Sequence, residues 1–224
     1  MIAYGIILIK NDELMRKLFN SILNLIFPPR CEVCGKGSEE ALCSECFKQI
    51  KFMKPHLGIY SVSIYEGPLR NAIHRFKFKK RKILADPLGI LLIKYLSHNP
   101  MLDMNEFELI IPVPLHKKRL RERGFNQAEL LARVIGRYYE LPVVSALERV
   151  KNTKAQFDLP REERFSNISG AFKVADPRSV YNKRILLLDD IYTTGATIAE
   201  CSRALKIAGA RRVEVLTLSR AVEV

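Results

Sequence analysis

The sequence is organised around Ile185-Leu186-Leu187-Leu188-Asp189-Asp190-Ile191-Tyr192-Thr193-Thr194-Gly195-Ala196-Thr197, in which four aliphatic residues precede two acids and a segment rich in Thr. A near-continuous aliphatic run is typical of a parallel strand that is covered on both faces. The residues from Ile198 to Ile207 have helical composition, and Gly195 allows the backbone to bend tightly just before them. The order therefore predicts a strand, a turn and a helix within an α/β fold, with a parallel sheet and helices on both faces.

The predicted turn has the composition of a phosphate-binding loop. The first N–H groups of a helix lack intrahelical partners and lie at the positive end of the helix dipole, so an anion is favoured there. Thr193, Thr194 and Thr197 add hydroxyl donors. Asp189 and Asp190 cannot hold a phosphate, but they can accept hydrogen bonds from the vicinal hydroxyls of a sugar, or hold a hydrated Mg²⁺ beside it.

This stretch resembles the phosphoribosyl-pyrophosphate (PRPP) motif of type I phosphoribosyltransferases. The alternative is a strand whose acidic end holds some other ligand or none. Some purine-salvage members carry an Asp near the acceptor base where this chain has Thr193, so the sequence offers no candidate for that role. The resemblance implies that PRPP, or another phosphoribosyl ligand, binds with Mg²⁺ at Asp189, Asp190, Thr193, Thr194, Gly195, Ala196 and Thr197.

Length and charge set limits on the class of protein. With 224 residues and 48% hydrophobic composition, the chain can bury one good core and a small appendage. The formal net charge of +13 favours polyanionic partners, without saying which polyanion. No apolar run approaches the roughly 18 residues of a transmembrane helix, and residues 1–9 lack the features of a signal peptide. We therefore expect a cytoplasmic protein.

The residues from Leu14 to Phe27 carry apolar side chains at helical spacing, with polar side chains between them. This pattern predicts an amphipathic helix, which either docks on the core of the protein or lies on a membrane surface. Any membrane association is therefore expected to be peripheral. Met15 offers a second plausible start just before this helix, so whether residues 1–14 belong to the native protein stays open.

Four cysteines follow the predicted helix in two Cys-x-x-Cys pairs separated by eight residues: Cys31, Cys34, Cys43 and Cys46. This spacing suits a tetrahedral Zn²⁺, and four thiolates leave no open position for catalysis, so the zinc is expected to be structural. Disulfides or redox use are the alternatives, which the absence of an export signal disfavours. We expect residues 1–54 to form an N-terminal helix and zinc module, and residues 55–224 a phosphoribosyltransferase-like domain.

A strongly basic segment follows Gly67-Pro68, which opens a predicted helix after a strand at about residues 58–65. Seven cations fall within thirteen residues that contain no acid, and Phe76 and Phe78 lie among them. A solvated basic face and a surface for single-stranded nucleic acid explain the run equally well. For the second reading, the candidate residues are Arg75, Lys77, Phe78, Lys79 and Lys82.

A second buried strand is predicted at residues 107–114, and a helix at residues 128–139. The segment between them is cationic and is predicted to be a loop. Because Arg side chains match phosphate oxygens bidentately, this loop is a candidate for the pyrophosphate of PRPP. Its candidate residues are Lys117, Arg119, Arg121 and Arg123. Residues 151–161 read as a loop or hood, and short strands are predicted at residues 172–175 and 213–218.

Val113-Pro114-Leu115, followed by Arg121-Glu122-Arg123-Gly124-Phe125-Asn126-Gln127, resembles the signature of the ComF family. Members of that family pair a Cys-rich module with a phosphoribosyltransferase domain. The resemblance implies a role in natural competence, in which single-stranded DNA entering the cytoplasm is passed to helicases and recombination proteins. Two alternatives remain open: an active Mg²⁺-dependent phosphoribosyltransferase acting on an unidentified acceptor, and a regulator that senses PRPP without turning it over.

Overall fold

A computed structural model describes residues 28–56, 58–151, 153 and 161–221. Its main sheet has four strands, β1 (Ile59–Ile64), β2 (Leu109–Pro112), β5 (Arg184–Tyr192) and β6 (Arg212–Arg220). They are all parallel and lie in the order β1-β6-β5-β2. Two short strands, β3 (Leu147–Arg149) and β4 (Phe172–Val174), pair in an antiparallel way outside this sheet.

Seven α-helices lie within the described residues. They are α1 (Ser44–Lys48), α2 (Gly67–Phe78), α3 (Ala85–Ser97), α4 (Lys117–Arg123), α5 (Gln127–Tyr139), α6 (Arg161–Ile168) and α7 (Ala196–Ile207). Short 3₁₀ turns occur at Lys82–Leu84, Met104–Glu106 and Pro177–Ser179. Because parallel strands need long crossovers, the chain passes through α2 and α3 between β1 and β2, and through α7 between β5 and β6.

Strand β5 shows why the aliphatic run is needed. Leu186 and Leu188 belong to the core formed with α2, α3 and α5, whereas Ile185 and Leu187 belong to the core formed with α7. All four side chains are fully buried. Successive side chains of a strand point to opposite faces, so an unbroken aliphatic run covers both. The expected fold class, a parallel sheet with helices on both faces behind a small four-cysteine module, is confirmed.

The cationic segment after β2 corrects one prediction, because most of it is helical. The side chain of His116 accepts a hydrogen bond from the backbone N–H of Lys118 at 3.3 Å, which caps the start of α4. Gly124 ends the helix with a φ of 81°, a left-handed conformation that favours glycine. The predicted helix at residues 128–139 is confirmed as α5, which Asn126 caps by accepting a hydrogen bond from the N–H of Ala128.

The four-cysteine module packs directly on the sheet domain. Leu42, Cys46 and Ile50 are buried in the same hydrophobic core as Leu69 and Phe76 of α2. The core is therefore continuous across residue 54, where the domain boundary was predicted. That boundary stays a prediction.

Two predictions fall partly or wholly on residues that the structure does not describe. The amphipathic helix at residues 14–27 lies outside the described residues, as does most of the predicted hood at residues 151–161. Among the described helices, none combines the length and the apolar character needed to cross a bilayer.

Candidate functional site

The paired acids lie near the carboxyl end of β5, within the part of the strand that still pairs with β6. Strand β5 continues to Tyr192, so Asp189 and Asp190 are strand residues that point to opposite faces. Asp190 is buried, and Asp189 is partly exposed. The backbone N–H of Asp190 donates to Oδ1 of Asp189 at 2.8 Å. Burial, followed by the negative charge of Asp190, raises the pKa of Asp189 to about 7, and the charge of Lys77 opposes this shift.

Lys77 of helix α2 forms an ion pair with the second acid. Its Nζ lies 2.8 Å from Oδ1 of Asp190, and the side chains are only 13% and 10% exposed. Lys77 was a nucleic-acid candidate because it belongs to the basic run, yet the structure places it beside the paired acids. The sequence carried one indirect signal. A helix that contains many cations and no acid can form ion pairs only with other segments.

The turn after β5 has the features of an anion site. Gly195 has a φ of +81°, and a Cβ added there would lie 2.5 Å from Oη of Tyr192, so only glycine fits beneath this ring. The Oγ1 of Thr194 is buried without a hydrogen-bond partner among the described atoms. A buried polar atom without a partner is costly, so this hydroxyl suits a ligand that accepts or donates a hydrogen bond. Ala196 is buried, and Thr193 and Thr197 are partly exposed.

Helix α4 divides the four predicted pyrophosphate residues between two environments. Arg119 and Arg123 are four residues apart, share one helix face and are partly buried, whereas Lys117 and Arg121 are exposed. The Nη2 of Arg119 donates to the carbonyl oxygen of Thr153 at 3.2 Å. The Nη1 of Arg123 donates to Oε1 of Gln127 at 3.0 Å. A mobile loop would have left all four side chains equivalent, but the helix does not.

Arg149 at the end of β3 joins this group, although no motif in the sequence pointed to it. Burial, followed by the positive charge of Arg119, lowers the pKa of Arg149 to about 10, and the negative charge of Asp189 opposes the shift. Its guanidinium group lies 5.5 Å from the ring centre of Phe172 and donates to Oγ1 of Thr153. Its Nε is buried without a partner among the described atoms. The charges of Arg119 and Arg123 both act on Arg149, which in turn interacts with Asp189.

The two phenylalanines of the basic run have different environments. Phe76 is fully buried, with its ring centre 5.3 Å from that of Phe125. A buried ring has no face left for a nucleobase, so Phe76 is a core residue. Phe78 is 58% exposed, and its ring centre lies 5.0 Å from that of His74 and 5.4 Å from the Arg123 guanidinium group.

Several other cations of the run are engaged by neighbouring segments. The side chain of Arg81 donates to both carboxylate oxygens of Glu32, with 2.9 Å between Nε and Oε2, and Arg75 lies 4.0 Å from the same carboxylate. The Nζ of Lys82 lies 5.3 Å from the ring centre of Phe125. Lys79 is exposed. The run is therefore only in part an open basic face.

The four cysteines of the N-terminal module have the geometry of a metal site. All five cysteines of the chain are free thiols. The four Sγ atoms of the module lie within 4.8 Å of one another, with 3.9 Å between Cys31 and Cys46 and 3.7 Å between Cys34 and Cys43. Tetrahedral Zn²⁺ with bonds of about 2.3 Å separates its sulfur ligands by about 3.8 Å. A disulfide needs about 2.05 Å, so these thiols fit zinc.

The electrostatics of the module also suit a cation. Burial opposes ionisation of Cys31, but hydrogen bonds from backbone amides, among them that of Cys43, outweigh it and lower the pKa of this thiol to about 6. Burial and the neighbouring thiols raise the pKa of Cys46. Several thiolates can therefore coexist here only when a positive ion offsets their charge.

Comparison with known proteins agrees with this geometry. The double zinc ribbon domain family matches residues 22–57, which include all four cysteines and support a structural zinc site. Competence protein F of Haemophilus influenzae is 31% identical over 208 residues, which cover 85% of this chain and 90% of that protein. The chain belongs to the ComF family. The resemblance inferred from the motifs is thereby confirmed.

Other ComF relatives match at a similar level. DNA utilization protein YhgH of Escherichia coli strain K12 is 30% identical over 205 residues, covering 85% of this chain and 89% of that protein. Competence protein ComFC of Bacillus subtilis is 29% identical over 224 residues, covering 96% of this chain and 88% of that protein. This ComF chain therefore matches its relatives over most of their length.

Two solved structures show limited similarity to this ComF chain. Glutamine PRPP amidotransferase from B. subtilis is 18% identical, with a TM-score of 0.41 and coverage of 60% of this chain and 26% of that one. Purine phosphoribosyltransferase from Pyrococcus horikoshii is 16% identical, with a TM-score of 0.36 and coverage of 61% and 82%.

Proposed function

We propose that this ComF-family protein binds PRPP, or another phosphoribosyl ligand, and handles single-stranded DNA during DNA uptake. One observation carries the proposal. The paired acids, the turn with the unpartnered Thr194 hydroxyl and the guanidinium groups around Arg149 all meet at one edge of the sheet. In open α/β sheets, ligands bind at the carboxyl ends of the strands.

Each part of this edge suits one part of PRPP. The turn from Thr193 to Thr197 would hold the 5′-phosphate through N–H and hydroxyl donors. Asp189 and Asp190 would accept hydrogen bonds from the ribose hydroxyls. Arg119, Arg123 and Arg149 would face the pyrophosphate, since each guanidinium group can donate two parallel hydrogen bonds to phosphate oxygens. Lys117 and Arg121 are exposed and support this proposal less.

The donor set also fits Mg²⁺, which is expected to bind together with PRPP. Carboxylate oxygens are among the ligands that Mg²⁺ prefers, and it commonly combines one or two of them with substrate phosphates. The charge of Asp190 and burial disfavour the ionised form of Asp189, so a cation beside it relieves an existing repulsion. Such an ion supplies charge neutralisation for the pyrophosphate.

The DNA part of the proposal is supported by charge and by the names of the relatives. The net charge is +13, and the exposed ring of Phe78 lies among cations. Relatives in this family are named competence proteins and DNA utilization proteins. We therefore propose a cytoplasmic role in natural transformation, with competence helicases or recombination proteins as partners.

A ligand-dependent melting experiment tests both parts of the proposal. PRPP with Mg²⁺ and, separately, a single-stranded oligonucleotide should each raise the melting temperature, because ligands that bind the folded state stabilise it. The logarithm of the oligonucleotide affinity should fall linearly with the logarithm of the salt concentration. The slope should be about 0.7 for each phosphate contact. A melting temperature that either ligand leaves unchanged overturns the proposal.

Phosphoribosyl transfer to an acceptor is a second candidate function. The observation that favours it is the gathering of Arg119, Arg123 and Arg149, which would stabilise the charge on a departing pyrophosphate. Release of pyrophosphate from PRPP on addition of candidate bases supports transfer. Tight PRPP binding without release across such a panel supports a non-catalytic sensor instead.

A further inference from the structure

We propose that the phosphoribosyl ligand and single-stranded DNA bind to one continuous surface of this protein and therefore compete with each other. The inference rests on the proposed function, since it needs both ligands to bind. From the sequence, the phosphoribosyl ligand was expected at residues 117–123 and 189–197, and DNA at residues 70–82 with Arg119, Arg121 and Arg123 as further candidates. The structure joins these segments through two contacts.

The first contact is the ion pair between Lys77 and Asp190, whose charged atoms lie 2.8 Å apart. Helix α2 follows β1, and its Phe76 packs against Phe125, which follows α4. The helix therefore reaches from the end of β1 to the segment after β2, past the acids of β5. Lys77 thus lies in the phosphoribosyl site while belonging to the basic helix.

The second contact is the stacking of Arg123 on Phe78. The guanidinium group lies 5.4 Å from the ring centre, so one residue of the proposed pyrophosphate group makes a cation–π contact with one candidate for DNA stacking. The charge of Arg123 also acts on Arg149, and the charge of Asp189 acts on the same guanidinium group. Phe78 is thus linked to Arg123 by a direct contact, and Arg123 is linked to Arg149 and Asp189 by electrostatic interaction.

The exposed ring of Phe78 shows how DNA would use this surface. With 58% of the residue exposed, the ring keeps accessible surface that a base can contact. The phosphates next to that base would then lie by Arg123 and its neighbours. PRPP brings its pyrophosphate to the same cations, so either ligand removes the positive charge that attracts the other.

Competition binding tests the inference with the full-length protein. A labelled oligothymidylate is titrated with PRPP and Mg²⁺, and sodium sulfate at equal ionic strength is the control for screening. At ten times the Kd of PRPP, the apparent Kd of the oligonucleotide should rise about tenfold, as for simple competition. By reciprocity, saturating oligonucleotide should weaken PRPP binding in the same way.

Matched variants separate shared residues from unshared ones. Lys77→Met should weaken the binding of both ligands, whereas Lys79→Met, a neighbouring exposed lysine, should weaken DNA binding alone. Phe78→Ala should weaken DNA binding, and Phe165→Ala, which is also exposed at 52%, should change neither affinity. Thermal melting of each variant without ligand shows that it is folded.

The outcomes distinguish the inference from the proposed function. If both ligands bind and neither changes the affinity for the other, the inference is wrong and the proposed function stands. If Lys77→Met weakens DNA binding but not PRPP binding, the assignment of Lys77 to both sites is refuted. If the parent protein fails to bind PRPP or DNA in single titrations, the proposed function fails and the inference fails with it.

Discussion

The ammonium group of Lys77 lies 2.8 Å from Oδ1 of Asp190, so an ion pair with little solvent exposure joins the basic helix to the paired acids. Removing either partner leaves the other charge poorly solvated and without its counter-ion. Lys77 also opposes the rise in the pKa of Asp189. A residue from another segment of the chain therefore pairs with Asp190 and favours the ionised form of Asp189.

The four-cysteine module should hold stoichiometric zinc. Elemental analysis of protein purified without chelator should find about one Zn per chain, and Cys46→Ser should lower both the zinc content and the melting temperature. The melting temperature should fall because Cys46 lies in the continuous core. Cys201→Ser is the control, since this buried thiol lies in the other core and should leave zinc content unchanged. Four oxidised cysteines without metal would contradict the prediction.

Replacing the paired acids should weaken PRPP binding. Asp189→Ala with Asp190→Ala removes the acceptors for the ribose hydroxyls, at a cost of about 1.5–3 kcal/mol each before non-additivity. Calorimetric titration with PRPP and Mg²⁺ measures the loss. Asp86→Ala is the control because this exposed acid at the start of α3 pairs with Arg137 of α5. A double variant with parental affinity would remove the acids from the site.

Phe76 and Phe78 should respond differently to substitution by alanine. Phe76→Ala leaves a cavity in the core and should destabilise the protein by about 3–5 kcal/mol in chemical denaturation. Phe78→Ala removes an exposed ring and should leave stability almost unchanged, while weakening single-stranded DNA binding by about 1–3 kcal/mol. A large stability loss in Phe78→Ala, with DNA affinity unchanged, would assign this ring to the fold.

Gly195→Ala should weaken phosphate binding at the turn. The residue has a φ of +81°, and the new Cβ would lie 2.5 Å from Oη of Tyr192, so the turn must shift. Left-handed backbone costs a non-glycine residue about 1–2 kcal/mol. Gly209→Ala is a matched control, because its φ is +90° and its Cβ would meet Tyr181 at 2.6 Å, just before β6. Both variants should melt lower, but only Gly195→Ala should lose PRPP affinity in calorimetry.

The amino-acid sequence was sufficient for the parts of the fold that depend on local rules. The aliphatic run from Ile185 to Leu188 requires a strand buried on both faces, and the helix that follows Gly195 is Ala196–Ile207. The cysteine spacing identified the metal module, because all four ligands lie within residues 31–46. These features depend on neighbours in the sequence, which a reader of the sequence can see.

Helix α4 marks the limit of local patterns. Its residues are mostly Lys and Arg, which have good helix propensity, but no apolar periodicity distinguishes them from a polar loop. The capping residues His116 and Gly124 were the available signal. Only the helical spacing of Arg119 and Arg123 reveals that these two share a face, while Lys117 and Arg121 are exposed.

Tertiary structure alone decided which charges meet at the site. Lys77 pairs with Asp190, Arg123 stacks on Phe78, and Arg149 lies near Asp189, although each pair joins distant parts of the chain. Such contacts depend on how α2, α4 and β3 are packed around the sheet. Net charge and composition are the same whether these groups meet or stay apart, so the sequence established their chemistry and the packing established their partners.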